Sequence, residues 1–313
     1  MTLRLTVATD EWRDHVRRTA RRMPGLVPVV KGNGYGFGRA TLAGIAAELA
    51  DTIAVGTVHE LDHVPAGVTP VVLTPALTAP ATVNPILTVG SVAHARALDG
   101  WPGRVLVKLA SSMRRYGATP DTVGALTAAA RASGLDVVGF SVHPPLAGTD
   151  DEHLDDVNHW VDRLDPTDEV WVSHLTPAAV AGLRQAWPGR RFRVRLGTAL
   201  WHGEGRAALH LGADVLDVRP VLAGTHAGYR QGTLAADGAL VMVGAGSAHG
   251  VVPLDDGRSP FHFARTRLAL LEPPHMHTSM VFVPAGDPTP RVGDVVDVQR
   301  PLITTAVDEV RWR

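Results

Sequence analysis

Short apolar runs recur through the first two thirds of the chain, and helical spacing fills much of the space between them. The runs are Val27–Lys31, Ile53–Val58, Pro70–Leu73, Pro85–Val89, Arg104–Leu109, Asp136–Val142, Glu169–Ser173 and Phe192–Leu196. Between them, Ala40–Ala50, Ser91–Leu98 and Asp121–Ser133 are rich in Ala and Leu at helical spacing. Near-continuous apolar strands alternating with helices predict a parallel sheet buried on both faces. Eight such units in about 200 residues fit a (β/α)8 TIM barrel. A doubly wound sheet is the competing α/β architecture, separated from the barrel by one or two strands.

After about Arg206 the texture changes. Leu216–Leu222, Ala239–Val243, Arg267–Leu271, Met280–Val283 and Val295–Gln299 read as strands, separated by Gly- and Pro-rich turns. The expected organisation is a barrel over 1–208 and a small, mostly-β C-terminal domain over 209–313.

Composition narrows the classes. The chain has 313 residues, 30 Lys+Arg, 31 Asp+Glu and a net charge of −1, which argues against nucleic acid or an acidic membrane surface as partner. An apolar fraction of 45% supports a sizeable core rather than a disordered chain. The absence of cysteine excludes disulfides, zinc–thiolate sites, iron–sulfur clusters and a thiol nucleophile. No targeting segment or membrane span is read, so a soluble cytoplasmic protein is expected.

The chemistry centres on Val29-Val30-Lys31-Gly32-Asn33-Gly34-Tyr35-Gly36-Phe37-Gly38, where a lysine ends the first barrel strand and a glycine-rich loop follows. The C-terminal ends of barrel strands form the catalytic face of this architecture. A phosphate-binding P-loop is excluded because its lysine must follow the glycines and precede Ser or Thr. By itself, a lysine beside such a loop is also compatible with a plain exposed side chain.

The segment resembles the cofactor-lysine motif of the alanine racemase family, with departures at Gly32, Gly34 and Phe37. Further resemblances follow in the family's order. They are Val107–Gly117 (VKLASSMRRYG), Ser141-Val142-His143-Pro144, Val194–Trp201 (VRLGTALW) and Gly228-Tyr229. The resemblance implies a pyridoxal 5'-phosphate (PLP)-binding barrel followed by a β domain. The activity implied is a two-base amino-acid racemase.

Roles follow from the resemblance position by position. Lys31 would carry PLP as a Schiff base and serve as one base, which requires a neutral amine. Tyr35, Thr176, Gly197 and Thr198 would hold the phosphate, with Thr176 in the loosest match. His143 would lie against the cofactor ring, and Arg195 would face the pyridine nitrogen, to which an arginine can only donate. Arg115, Lys108 and Met280 would serve the substrate, and in the family the lysine matching Lys108 is often carbamylated. Tyr229 would be the opposite base, supplied by the partner in a head-to-tail homodimer. The bland alternatives are local hydrogen bonding for His143, a surface ion pair for Arg195, a carboxylate partner for Lys108 and simple packing for Tyr229.

The second domain departs from the family. Ala110 replaces an aspartate, Val243–Gly250 (VGAGSAHG) lacks a tyrosine and an aspartate, and His277–Val281 keeps Met280 while losing an aspartate. The family's terminal tyrosine has no counterpart before Arg313. His275 and His277, two apart on an expected strand, could both face a metal. Their spacing resembles the metal site of D-threonine aldolases and D-serine dehydratases, although no third ligand is evident. An aldolase or dehydratase using that pair, and a catalytically silent PLP-binding protein, are the competing readings. Decarboxylases of this scaffold use a cysteine that the chain lacks.

Overall fold

The computed structural model describes residues 2–203 and 207–313. The chain divides into two compact units. One comprises 15–34 and 38–203; the other comprises the described residues of 1–14, 35–37 and 204–313. The chain opens with strand β1 (Leu3–Val7) and helix α1 (Thr9–Arg21). Acidic Asp10 and Glu11 begin that helix and basic Arg18 and Arg21 end it, matching the helix dipole.

The larger unit contains β2 (Leu26–Pro28), β3 (Thr52–Val55), β4 (Thr69–Val72), β5 (Ile86–Val89), β6 (Arg104–Lys108), β7 (Asp136–Ser141), β8 (Val170–Ser173) and β9 (Phe192–Leu196). They form an eight-stranded parallel sheet in the order β2-β9-β8-β7-β6-β5-β4-β3. A parallel bridge between Val29 and Ala54 joins its ends, and the Val30 N–H donates to the Ala54 carbonyl at 2.7 Å. The sheet is therefore a closed barrel, and the doubly wound alternative falls. All four residues of β3, β5 and β8 are buried, which is why these strands read as continuous apolar runs.

Helices α2 (Arg39–Ala47), α3 (Val92–Ala97), α4 (Val123–Ala132), α5 (Asp150–Val161), α6 (Pro177–Ala186) and the short α7 (Thr198–Trp201) follow β2 and β5 to β9. After β3 there is only a 3-10 turn, Val58–His63. No helix follows β4 among the described residues, because Pro75, Pro80 and Pro85 interrupt the segment that leads to β5. A capping box begins α5, where Thr149 and Glu152 bond each other's backbone N–H groups.

The second unit holds β10 (Leu209–Val221), β11 (His226–Ala227), β12 (Gly232–Thr233), β13 (Gly238–Val243), β14 (Phe261–Phe263), β15 (Thr266–Arg267), β16 (Ala269–Leu270), β17 (Ser279–Pro284), β18 (Val295–Val298) and β19 (Glu309–Trp312). A nine-stranded sheet runs β15-β14-β18-β10-β13-β17-β16, and β1 pairs with both β10 and β19. This organisation differs from a single cut after residue 208. Leu3, Leu5 and Val7 alternate with Arg4 and Thr6, giving β1 one buried face, and Leu5 pairs with Leu211 and Val310. The expected single strand over 267–271 is split at Leu268, whose N–H donates to the Phe261 carbonyl.

One glycine governs a loop at the end of β6. Gly117 has φ +135°, and a Cβ there would lie 2.5 Å from the Leu109 carbonyl carbon. Only without a side chain can this return segment dock, with the Ala118 N–H donating to the Lys108 carbonyl at 2.8 Å. Gly117→Ala should therefore lower unfolding free energy by roughly 2–4 kcal/mol in urea titration, combining backbone strain with the clash. An unchanged midpoint would contradict this account.

Candidate active site

The barrel's C-terminal end gathers the residues singled out in the sequence. Lys31 follows the Val29 bridge, Lys108 ends β6, His143 follows β7, and Arg195 lies in β9. The seam beside Lys31 is firmly tied. The Val29 N–H donates to the Leu196 carbonyl at 2.9 Å, and the Trp201 indole N–H donates to the Val29 carbonyl at 2.8 Å.

Lys31 itself is solvent-accessible, yet enough of its surroundings are closed to change its ionisation. Burial lowers its pKa below the ordinary lysine value, with Arg115 and Arg195 pushing the same way and Glu60 opposing. Glu60 is held nearby by the Gly32 N–H at 3.1 Å and the Gly56 N–H at 2.7 Å. The result is an amine that gives up its proton more readily.

Lys108 is buried, and its Nζ donates to the Ser141 carbonyl at 3.3 Å. Burial, then Arg195 and Arg115, push its pKa well below the usual lysine value, with Asp156 opposing. Among the described residues it makes no salt bridge, so a strand carbonyl stands where a carboxylate partner was weighed in the sequence.

Arg195 is also buried, which rules out the surface ion pair. Its Nη2 donates to the Val142 carbonyl at 2.6 Å and its Nε to the Val172 carbonyl at 3.4 Å. Burial lowers its pKa to about 10, Tyr116 opposing and Arg115 assisting, so the guanidinium remains charged at neutral pH. Two of its five N–H donors are spent on strand carbonyls. Arg115 is exposed, with its guanidinium 4.6 Å from the Tyr116 ring centroid.

His143 shares a hydrogen bond between its Nδ1 and the Ser173 hydroxyl, and its ring stands 4.5 Å from that of His174. Burial, followed by Arg195, His174, Lys108 and Arg115, pushes its pKa down to about 2. His143 is a neutral ring at any working pH.

The remaining expected residues are placed as follows. Gly197 caps α7 and Thr198 begins it, so the opening N–H groups have no carbonyl within the turn to accept them. The Thr176 hydroxyl caps α6 by accepting from the Ala179 N–H at 3.2 Å, and it also donates to the Asp150 carboxylate. That commits Thr176 to local structure and sets a carboxylate against it.

In the second unit, Tyr35 is buried with φ 56°. Met280 pairs across the sheet with Met242 and packs on Ala227, Leu234 and Leu240. Tyr229 lies between β11 and β12, 84% exposed, so it is not a packed core tyrosine.

His275 and His277 do not lie on a strand. Pro273 and Pro274 remove two N–H donors, and β17 begins only at Ser279. The His275 ring meets Tyr229 at 4.4 Å, whereas the His277 ring meets His249 at 5.8 Å. Among the described residues, no group of three or more His, Cys, Asp or Glu is arranged to hold a metal ion.

Sequence reasoning did not assign Glu60, Ser173, His174 or Tyr116. Ser173 and His174 could have been found, because they end the Glu169–Ser173 strand run on the catalytic side of a barrel. Glu60 carries no such signal.

A family model for the N-terminal domain of alanine racemase matches residues 7–204. The chain belongs to the alanine racemase family. No curated protein matches the chain. Among solved structures it is similar to alanine racemase from Bartonella henselae with covalently bound pyridoxal phosphate. That similarity has a TM-score of 0.76 and 17% identity, over 99% of each chain. The biosynthetic alanine racemase of Pseudomonas aeruginosa has a TM-score of 0.72 and 20% identity, over 100% of this chain and 99% of its own. The alanine racemase of D-cycloserine-producing Streptomyces lavendulae has a TM-score of 0.70 and 20% identity, over 100% and 97%. At these identities the family members share the fold. No helix among the described residues is long and apolar enough to cross a membrane.

The electrostatics of Lys31 can be checked directly. Removing the Arg115 charge removes a repulsion, so Arg115→Gln should move the pH midpoint of Lys31 reductive methylation upward. Glu60→Gln removes an attraction and should move it downward. A midpoint indifferent to both substitutions would contradict the charge coupling.

Proposed function

We propose that the protein is a PLP-dependent amino-acid racemase that exchanges the Cα proton between two bases. The observation that carries this reading is Lys31, a strand-end amine whose pKa is lowered by burial and by the cations Arg115 and Arg195. Family membership supports it. Such a donor set fits PLP, whose phosphate needs cations and N–H groups and whose aldehyde needs an unprotonated amine. When bound, PLP supplies an electron sink that acidifies the substrate's Cα–H.

The chain's own residues would do the rest. Lys31 Nζ would hold the cofactor covalently, then take or return the Cα proton on one face. Arg195 would donate to the pyridine nitrogen without protonating it, which keeps the sink modest and suits plain proton exchange. Gly197, Thr198 and Tyr35 would hold the phosphate, while the Thr176 hydroxyl stays with its helix cap and the Asp150 carboxylate. Neutral His143 would flank the ring without adding charge. Arg115 would bind the substrate carboxylate with Lys108 behind it, and Met280 would belong to the substrate side. Tyr229 would serve the opposite face from the partner subunit of a homodimer, which its exposed position favours.

The test is to incubate the protein with PLP and a panel of L-amino acids in deuterated water. Deuterium at Cα with chiral inversion is expected. Borohydride should fix a pyridoxyl group on Lys31, and Lys31→Ala should abolish both label and turnover. Tyr229→Phe should cost about 10²–10⁴-fold in racemisation, the usual worth of a positioned acid–base group. Mixed Lys31→Ala and Tyr229→Phe subunits should regain part of the activity after reassociation. Exchange without inversion, or label on another lysine, would overturn the reading.

A further inference from the structure

The second unit contains a buried carboxylate that the proposed roles leave unused. Glu272 has a side chain only 5% exposed, yet three donors converge on it. His275 Nε2 donates to its Oε1 at 2.7 Å, the Tyr229 N–H to the same oxygen at 2.9 Å, and the Arg230 N–H to Oε2 at 3.1 Å. Burial raises the carboxyl pKa, but these hydrogen bonds outweigh it and leave the group below its usual value. An ionised carboxylate only accepts, so the His275 proton on this bond sits at Nε2.

The arrangement is fitted on every side. Gly228 has φ +77°, which favours glycine, and a Cβ there would lie 2.6 Å from Glu272 Oε1 and displace the carboxylate from its present contacts. The opposite loop is pinned as well. The Ser247 N–H donates to the His275 carbonyl at 2.8 Å, and the Ala248 N–H to the Met276 carbonyl at 2.8 Å. Tyr229 and His275, with rings 4.4 Å apart, line a groove of about 630 Å³ with Ser247, Met276, His277 and Thr278.

We propose that Glu272 is a positioning residue for the second base: it anchors the turn at Tyr229 and Arg230 and, through His275, fixes the ring against which the Tyr229 phenol packs. The proposal rests on the racemase reading, in which Tyr229 faces the substrate. A loop-holding ion pair alone would make Glu272 matter equally for both faces of the substrate. A positioning role makes it matter for one.

Two measurements decide it. In the PLP-free protein, NMR should show a low-field, slowly exchanging ring proton of His275 that is lost in His275→Asn and displaced in Glu272→Gln. In the loaded protein, Glu272→Gln should lower kcat about 10²-fold for Cα exchange of one enantiomer, the effect of a displaced catalytic group. Its KM, and the exchange of the other enantiomer through Lys31, should stay within about threefold of the parent. Glu272→Gln added to Tyr229→Phe should cause no further loss. Equal loss for both enantiomers, a rise confined to KM, or parent-like rates would overturn the proposal. Racemisation by a protein without the His275 signal would also overturn it. The signal present in a protein that exchanges neither enantiomer would instead reject the racemase reading.

Discussion

In addition to burial, Arg115 and Arg195 both push down the pKa of Lys31 and of Lys108. A like charge nearby raises the cost of holding a proton. Arginine cannot relieve this by deprotonating, whereas lysine can. Burial first, and then the two arginines, push the two lysines toward the neutral amine, with Glu60 opposing at Lys31 and Asp156 at Lys108. One consequence is a nucleophilic Lys31. The other is a mouth that gains most from an anion carrying several charges, as a phosphate ester does.

The neutral groups nearby fit the same constraint. His143 cannot add a further charge, because burial and the surrounding cations push its pKa down to about 2. Ala110, where the family carries an aspartate, brings no carboxylate beside Lys108. Its carbonyl instead accepts from the Trp160 indole N–H at 2.6 Å. A carboxylate there would partly neutralise the neighbouring cations and return the lysines toward their ordinary protonation.

Much of the barrel was legible because its strands are apolar on both faces, and Phe192–Leu196 was read with its observed bounds. The candidate residues at the barrel's strand ends were easy to single out because strand ends are short and local in sequence. What escaped depends on distant partners. β1 announces itself only by five alternating residues, and its partners lie some two hundred positions away or more, at Leu211 and Val310. Glu272 gives no sign in sequence, because its ligands are the backbone N–H groups of Tyr229 and Arg230, which every sequence possesses. The same-side facing weighed for His275 and His277 needs strand geometry, which the paired prolines just before them withhold.

Strained backbone occurs in both units, and in the barrel it falls in the loops that follow β6 and β8. Non-glycine residues with positive φ include Tyr35 after β2, Arg114 after β6 and His174 immediately after β8. Each such residue costs on the order of 1–3 kcal/mol and persists only when its surroundings determine it. His174 shows how: its Nδ1 lies 3.0 Å from both the Pro144 and Pro145 carbonyls, while the His153 Nδ1 lies 2.9 Å from the His174 carbonyl. Arg114 is followed directly by Arg115, and the loop closes on the tight Gly117 contact, so the backbone that sets the Arg115 charge is itself constrained. The loops after barrel strands are where this fold can vary freely. At Arg114 and His174 the strain is held in loops that follow barrel strands, each fixed by the contacts named above.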